Sequence, residues 1–172
     1  MSSRFKLVVG AVVLVAFAVG AFAAFSSSGR SGTTSEQVAS WVAASELGST
    51  VGTLQADATR ISTVLDQQKG LSAVHTDCAV LQQDATSANS VLPTPDGRLT
   101  AELSKAYALS YDAGADCLNA GSISASLFHR STDERHEART ALLRALAQVK
   151  RLTGKTVATT TTTQPPSGGI FG

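Results

Sequence analysis

Large aromatic side chains are scarce in this chain. They make up 5% of its 172 residues, and four of the six phenylalanines fall at or before Phe25. Whatever folds beyond that point must build its core from aliphatic and small side chains, with modest buried area per residue. Net charge is also nearly absent, at +1, which gives no push toward nucleic acid. A Gly-rich phosphate loop, Gly-x-Ser-x-Gly, His-Glu-x-x-His and Cys-x-x-Cys are all missing. The usual templates for nucleotide binding, acyl transfer and zinc chemistry therefore have nothing to rest on. The expectation is a non-enzyme with no cofactor, no metal site and no nucleic-acid partner.

What is present begins with residues 7–25, LVVGAVVLVAFAVGAFAAF, which carry no charged and no hydroxyl side chain. At 1.5 Å per residue this run is about 28 Å long as a helix, close to the thickness of a bilayer's hydrocarbon core. Arg4 and Lys6 precede it, and the positive-inside rule then places the N-terminus in the cytoplasm and everything after Phe25 outside. Ala21-Phe22-Ala23 also has the small-x-small pattern of a signal-peptidase site. Two expectations follow: a retained single-pass anchor, favoured by the length of the run and by Phe25, or secretion after cleavage behind Ala23. No cysteine lies near the end of the run, which excludes lipidation there.

Composition divides the remainder. Residues 26–35, SSSGRSGTTS, read as a flexible linker. Residues 155–172, with threonine from Thr159 to Thr163 and then Gln-Pro-Pro-Ser-Gly-Gly, read as a disordered tail open to O-linked sugars or contact with wall polymer. Between them, residues 36–154 carry apolar positions at steps of three and four, the period of helices. The fold class predicted is all-α, an antiparallel up-down bundle of about four helices. The first segment runs from Trp41 and Val42 through Leu54, Ile61 and Leu65, with Gly48 and Gly52 as points of a kink. The second carries Leu71, Val74, Cys78, Leu81 and Ala85 up to Pro93 and Pro95. The third carries Leu99, Leu103, Ala106 and Cys117 as far as Asn119. The fourth starts after Ser122, crosses a charged middle and resumes at Leu142.

Cys78 and Cys117 are the only cysteines, and both lie on the apolar stripes of neighbouring helices. Outside the cytoplasm they are expected to form a disulfide. Cys78 is 15 residues before Pro93 while Cys117 is 20 after Gly97, so they meet only if the turn runs on toward Thr100 or the helices are staggered.

Other groups with chemical potential are weak. His129 and His136 share a helix face with Asp133 and Glu137, a spacing at which imidazole and carboxylate can converge on a divalent ion, but HRSTDERHEAR is charged on all sides, as solvated faces are. His75 lies near Asp77 and Cys78, and a disulfide cysteine is no nucleophile. The pairs Asp112/Asp116 and Asp133/Glu137, each a turn apart, read as surface charges. Residues 130–155 hold seven basic and three acidic side chains, against five basic and ten acidic in residues 26–129. The basic fourth helix either attracts the rest of the bundle or faces an anionic headgroup or envelope polymer.

From Asp77 to Gly121 the sequence DCAVLQQDATSANSVLPTPDGRLTAELSKAYALSYDAGADCLNAG resembles small exported or membrane-anchored helical proteins of actinobacteria, in which one cysteine precedes a Pro-x-Pro-Asp turn and a second ends the next helix. The resemblance implies the Cys78–Cys117 disulfide, a helical fold and a cell-envelope setting, and no activity. The function expected is a membrane-anchored extracytoplasmic helical module, structural or protein-interaction in role, with an envelope protein or anionic envelope polymer as partner. The alternative is a secreted or anchored protein that binds a small apolar ligand in a cavity lined by Leu, Val and Tyr107 or Tyr111.

Overall fold

The computed structural model describes residues 32–160. The apolar run of residues 7–25 and the end of the Thr/Pro-rich tail lie outside the described residues, and no helix among the latter is long and apolar enough to cross a membrane. The described residues form five helices and no strand: α1 Thr34–Ala44, α2 Leu47–Asp66, α3 Leu71–Asn89, α4 Gly97–Asn119 and α5 Ser126–Thr153.

Local chemistry sets most of these boundaries. Thr33 and Glu36 form a capping box: the Glu36 carboxylate accepts from the Thr33 N–H at 2.8 Å, and Thr33 Oγ1 accepts from the Glu36 N–H at 3.4 Å. Helix α1 therefore starts at Thr34, inside the stretch expected to be linker. Asp96 caps α4 by accepting from the Leu99 N–H at 2.7 Å. Gly154, with φ of 71°, closes α5 in the left-handed region and donates to the Lys150 carbonyl at 2.8 Å.

Helices α2 to α5 alternate in direction. Asp57 and Arg60 of α2 meet Asp84 and Asp77 of α3. Cys78 and Gln82 of α3 meet Cys117 and Gly114 of α4. Asp96, the cap of α4, and Asp116 within it meet Gln148 and Arg130 of α5. In each set the numbers rise on one helix as they fall on the other, which makes an up-down bundle.

The first predicted segment is two helices, so the described residues hold five helices where about four are expected. Their break is at Ser45 and Glu46, the latter left-handed at φ 50°, and not at Gly48 or Gly52. Gly48 serves another purpose: a Cβ there would come within 2.2 Å of the Ala158 carbonyl oxygen and 3.2 Å of Val157. The chain after α5 thus crosses the start of α2 with Val157 against the core, although sequence assigned those residues to the tail.

Helix α1 has a geometric reason. At 1.5 Å per residue, Gly97 to Cys117 covers about 30 Å and Cys78 to Asn89 about 17 Å. The paired cysteines therefore force the start of α4 to overhang the end of α3, and stagger, not a longer turn, resolves the spacing noted in the sequence. Helix α1 packs chiefly against α5, and the Trp41 indole N–H donates to the Val91 carbonyl at 3.3 Å, just past the end of α3.

The core matches its composition. Eight buried alanines, among them Ala85, Ala106, Ala113 and Ala145, stand beside Leu99, Leu103 and Tyr107. At Gly114 a Cβ would lie 2.8 Å from Gln82 Cβ and 2.9 Å from the Cys78 oxygen. Only glycine lets α3 and α4 approach so closely.

Candidate functional site

Cys78 and Cys117 are fully buried and joined, with their Cα atoms 6.0 Å apart, within the ordinary range for a disulfide. That uses both sulfurs for structure. His75 Nε2 lies 3.1 Å from the Ala120 carbonyl at the end of α4. His129 and His136 are exposed and two turns apart on α5, a separation of about 10 Å. Among the described residues no group of three or more His, Cys, Asp or Glu side chains is placed to hold a metal ion. Asp116 is engaged by Arg130 through Nε and Nη2, and this hydrogen bonding holds its carboxyl below the usual range. Asp112, Asp133 and Glu137 are exposed.

Two features that carry chemistry lie elsewhere, one on each flank of α2. On the α3 side is a carboxyl pair. Asp57 is 2% exposed, neighbours the Asp84 carboxyl, and its Oδ2 is buried without a partner. Burial first, then the neighbouring Asp84 carboxyl and its charge, raise the Asp57 pKa to about 7 against the opposing pull of Arg60, 3.4 Å away. A carboxyl in this setting keeps its proton because the charged form would be buried beside another acid. Asp77, also raised by burial, stands on the same face, 3.8 Å from Arg60.

On the α5 side is a groove of about 340 Å³. Ala58 and Ala138 line it over a floor of the buried Leu54, Leu81 and Leu142, while Arg135, His136 and Arg139 supply three basic side chains; no carboxylate lines it. Arg135 reaches across the seam. Its Nη1 donates to the Ala58 carbonyl at 3.2 Å and to Ser62 Oγ at 3.4 Å, and its Nη2 to Thr132 Oγ1 at 3.1 Å. All three acceptors are neutral, and Nε is buried with no partner. Burial lowers its pKa, with no acid to hold it up. Arg130 makes the contrast: 60% exposed, it is paired with Asp116 and lies 3.8 Å from Glu134.

Both features had a signal in the sequence. The stripe of α5 reads Phe128, Ser131, Arg135, Ala138, Leu142, Ala145, Val149, in unbroken alternation of three and four. Arg135 thus stands at a seam position within the charged middle of the helix. Asp57 likewise stands three residues after Leu54 and four before Ile61. A charge at a seam position is the pattern that finds both.

Tyr107 and Tyr111, the residues expected to line a ligand cavity, do not. Tyr107 is packed in the core at 1% exposure, and Tyr111 is 44% exposed. No protein-family model, curated protein or solved structure matches the chain.

Proposed function

We propose that this chain is a non-enzymatic helical module of the cell envelope, held outside the cytoplasm by its N-terminal apolar segment and acting through contacts with envelope partners. The buried Cys78–Cys117 disulfide carries the reading. Such bonds persist in oxidising compartments and are rare in the cytosol, and the 7–25 run preceded by Arg4 and Lys6 supplies the route there. The basic excess of α5 suits an envelope partner with acidic groups, whether protein or polymer.

Intact mass from the native host tests this, taken on membrane and medium fractions with and without reduction before alkylation. The expected result is full-length chain in membranes with both thiols blocked until reduction. A species starting at Ala24 in the medium would replace the anchor by secretion, and thiols that alkylate without reduction would remove the extracytoplasmic setting altogether.

A further inference from the structure

We propose that the groove between α2 and α5 is a binding site for a small organic monoanion with an apolar body, of the medium-chain carboxylate class, whose head group pairs with Arg135. The site goes beyond the envelope reading and does not depend on it, because it rests on the bundle alone.

The first observation is an uncompensated charge. Arg135 occupies a seam position of α5, half-buried, and binds only neutral oxygens of α2 and α5. A guanidinium withdrawn from water without a counter-charge is unfavourable, and a carboxylate bound to it forms a strong charge-assisted hydrogen bond. The acids elsewhere on the bundle do not help: Asp57 and Asp84 face the other flank of α2, and Asp116 and Glu134 are taken up with Arg130. The counter-ion has to come from outside.

The second observation is the lining. His136 and Arg139 add basic groups to the same groove, and Ala58 and Ala138, over a floor of the buried Leu54, Leu81 and Leu142, give it an apolar lining. A bare inorganic anion would leave that surface in water; an uncharged hydrocarbon would leave Arg135 unpaired. An amphiphile with one negative charge satisfies both.

The third is size. The groove holds about 340 Å³, room for one small molecule. The volume is at the small end of the range for small-molecule sites.

The test uses the full chain in phosphatidylcholine nanodiscs, titrated calorimetrically with octanoate, octanol, acetate and inorganic phosphate, with empty nanodiscs subtracted. Octanoate is expected to saturate one site. Octanol and phosphate should bind at least tenfold more weakly, and acetate should give no saturation. Arg135→Gln should weaken octanoate at least tenfold, with Arg135→Lys recovering part of that loss. Ser62→Trp, a change at an exposed position beside the guanidinium, should abolish octanoate binding while helix content by circular dichroism stays constant. No saturable octanoate binding above empty nanodiscs would overturn the proposal. So would equal binding of octanol and octanoate, equal binding of phosphate and octanoate, or octanoate binding that Arg135→Gln leaves unchanged.

Discussion

Helices α3, α4 and α5 are joined in one way and α2 in another. Between α3 and α4 the contact is made of small groups and a covalent bond: Gly114 lets the backbones touch, and Cys78 and Cys117 lock them. Between α4 and α5 the packing is again close, with Ser131, fully buried, donating its hydroxyl to the Ala113 carbonyl at 2.7 Å. Helix α2 instead has an ionisable group at each flank. Asp57 faces an acid of α3, and Arg135 of α5 reaches α2 with no acid to meet. One part of the bundle is built for stability; the seams of α2 hold charge in places where apolar side chains would be more stable. Buried charge kept at that disadvantage is where a function is to be sought.

The largest effect expected is from breaking the covalent seam. The loop closed by the disulfide spans 39 positions, and the chain-entropy relation assigns it about 4 kcal/mol. Replacing both cysteines by alanine should lower the unfolding free energy by about that amount in denaturant titrations. A loss below about 1 kcal/mol would mean that packing at Gly114 alone holds α3 to α4.

The next concerns the acid seam and acts through pH. The Asp57 pKa is raised in the folded state, to about 7, so folding is accompanied by retention of a proton that the unfolded chain releases near 4. Stability from this group is fully present below pH 4 and is lost as pH rises through about 7, by on the order of 2–4 kcal/mol. Asp57→Asn removes the titrating group, and its amide can donate to Asp84. The variant should flatten the pH 4–7 decline in unfolding free energy and exceed the parent at pH 7.5. Parallel pH profiles for the two proteins would remove the carboxyl pair from this account.

A smaller effect is expected at the α3/α4 contact. In Gly114→Ala the new Cβ meets Gln82 and the Cys78 carbonyl at under 3.0 Å, so the backbones must part. The gain in helix propensity, about 1 kcal/mol, offsets only some of the overpacking. The net loss should be about 2 kcal/mol. Val157 and Gly48 give a control: Gly48→Ala, which displaces the segment after α5, should leave the α3/α4 seam intact and its disulfide equally protected from reductant.

How much of this was legible beforehand depends on what each residue touches. Helix class and the direction of α3 and α4 follow from period, because a stripe at three and four residues has one helical solution; the cysteine pairing follows from the place of both cysteines on apolar stripes of neighbouring helices and from the exported setting, against an uneven spacing. The division of α1 from α2 was missed although the step from Val42 to Leu47 is five residues, a phase slip that the glycines nearby drew attention away from. Gly114 and Gly48 were not legible in their true roles. A glycine required by a backbone crossing from a distant helix leaves no local mark. Arg135 and Asp57 were legible in principle, as charges on an apolar stripe, but a stripe is recognised by what is apolar in it, and charged members are read as breaks.

Arg135 offers the sharpest form of the comparison between the two parts of the bundle. If it were there for stability, as the disulfide is, truncating its charge would weaken the fold. Its partners are the Ala58 carbonyl, Ser62 and Thr132, all able to find water or each other, and no carboxylate would be stranded by its loss. Methionine keeps most of the length and apolar contact of the arginine stem, and places it against Leu54, Leu81 and Leu142. Arg135→Met should therefore raise the unfolding free energy by about 1 kcal/mol, measured in denaturant at neutral pH without added organic anions. In the presence of saturating octanoate the order should invert, because only the arginine form gains from the ligand, by RT ln(1 + [L]/Kd). Were the methionine variant less stable in both conditions, the guanidinium would be part of the scaffold, and the contrast between α2 and the rest of the bundle would be one of packing alone.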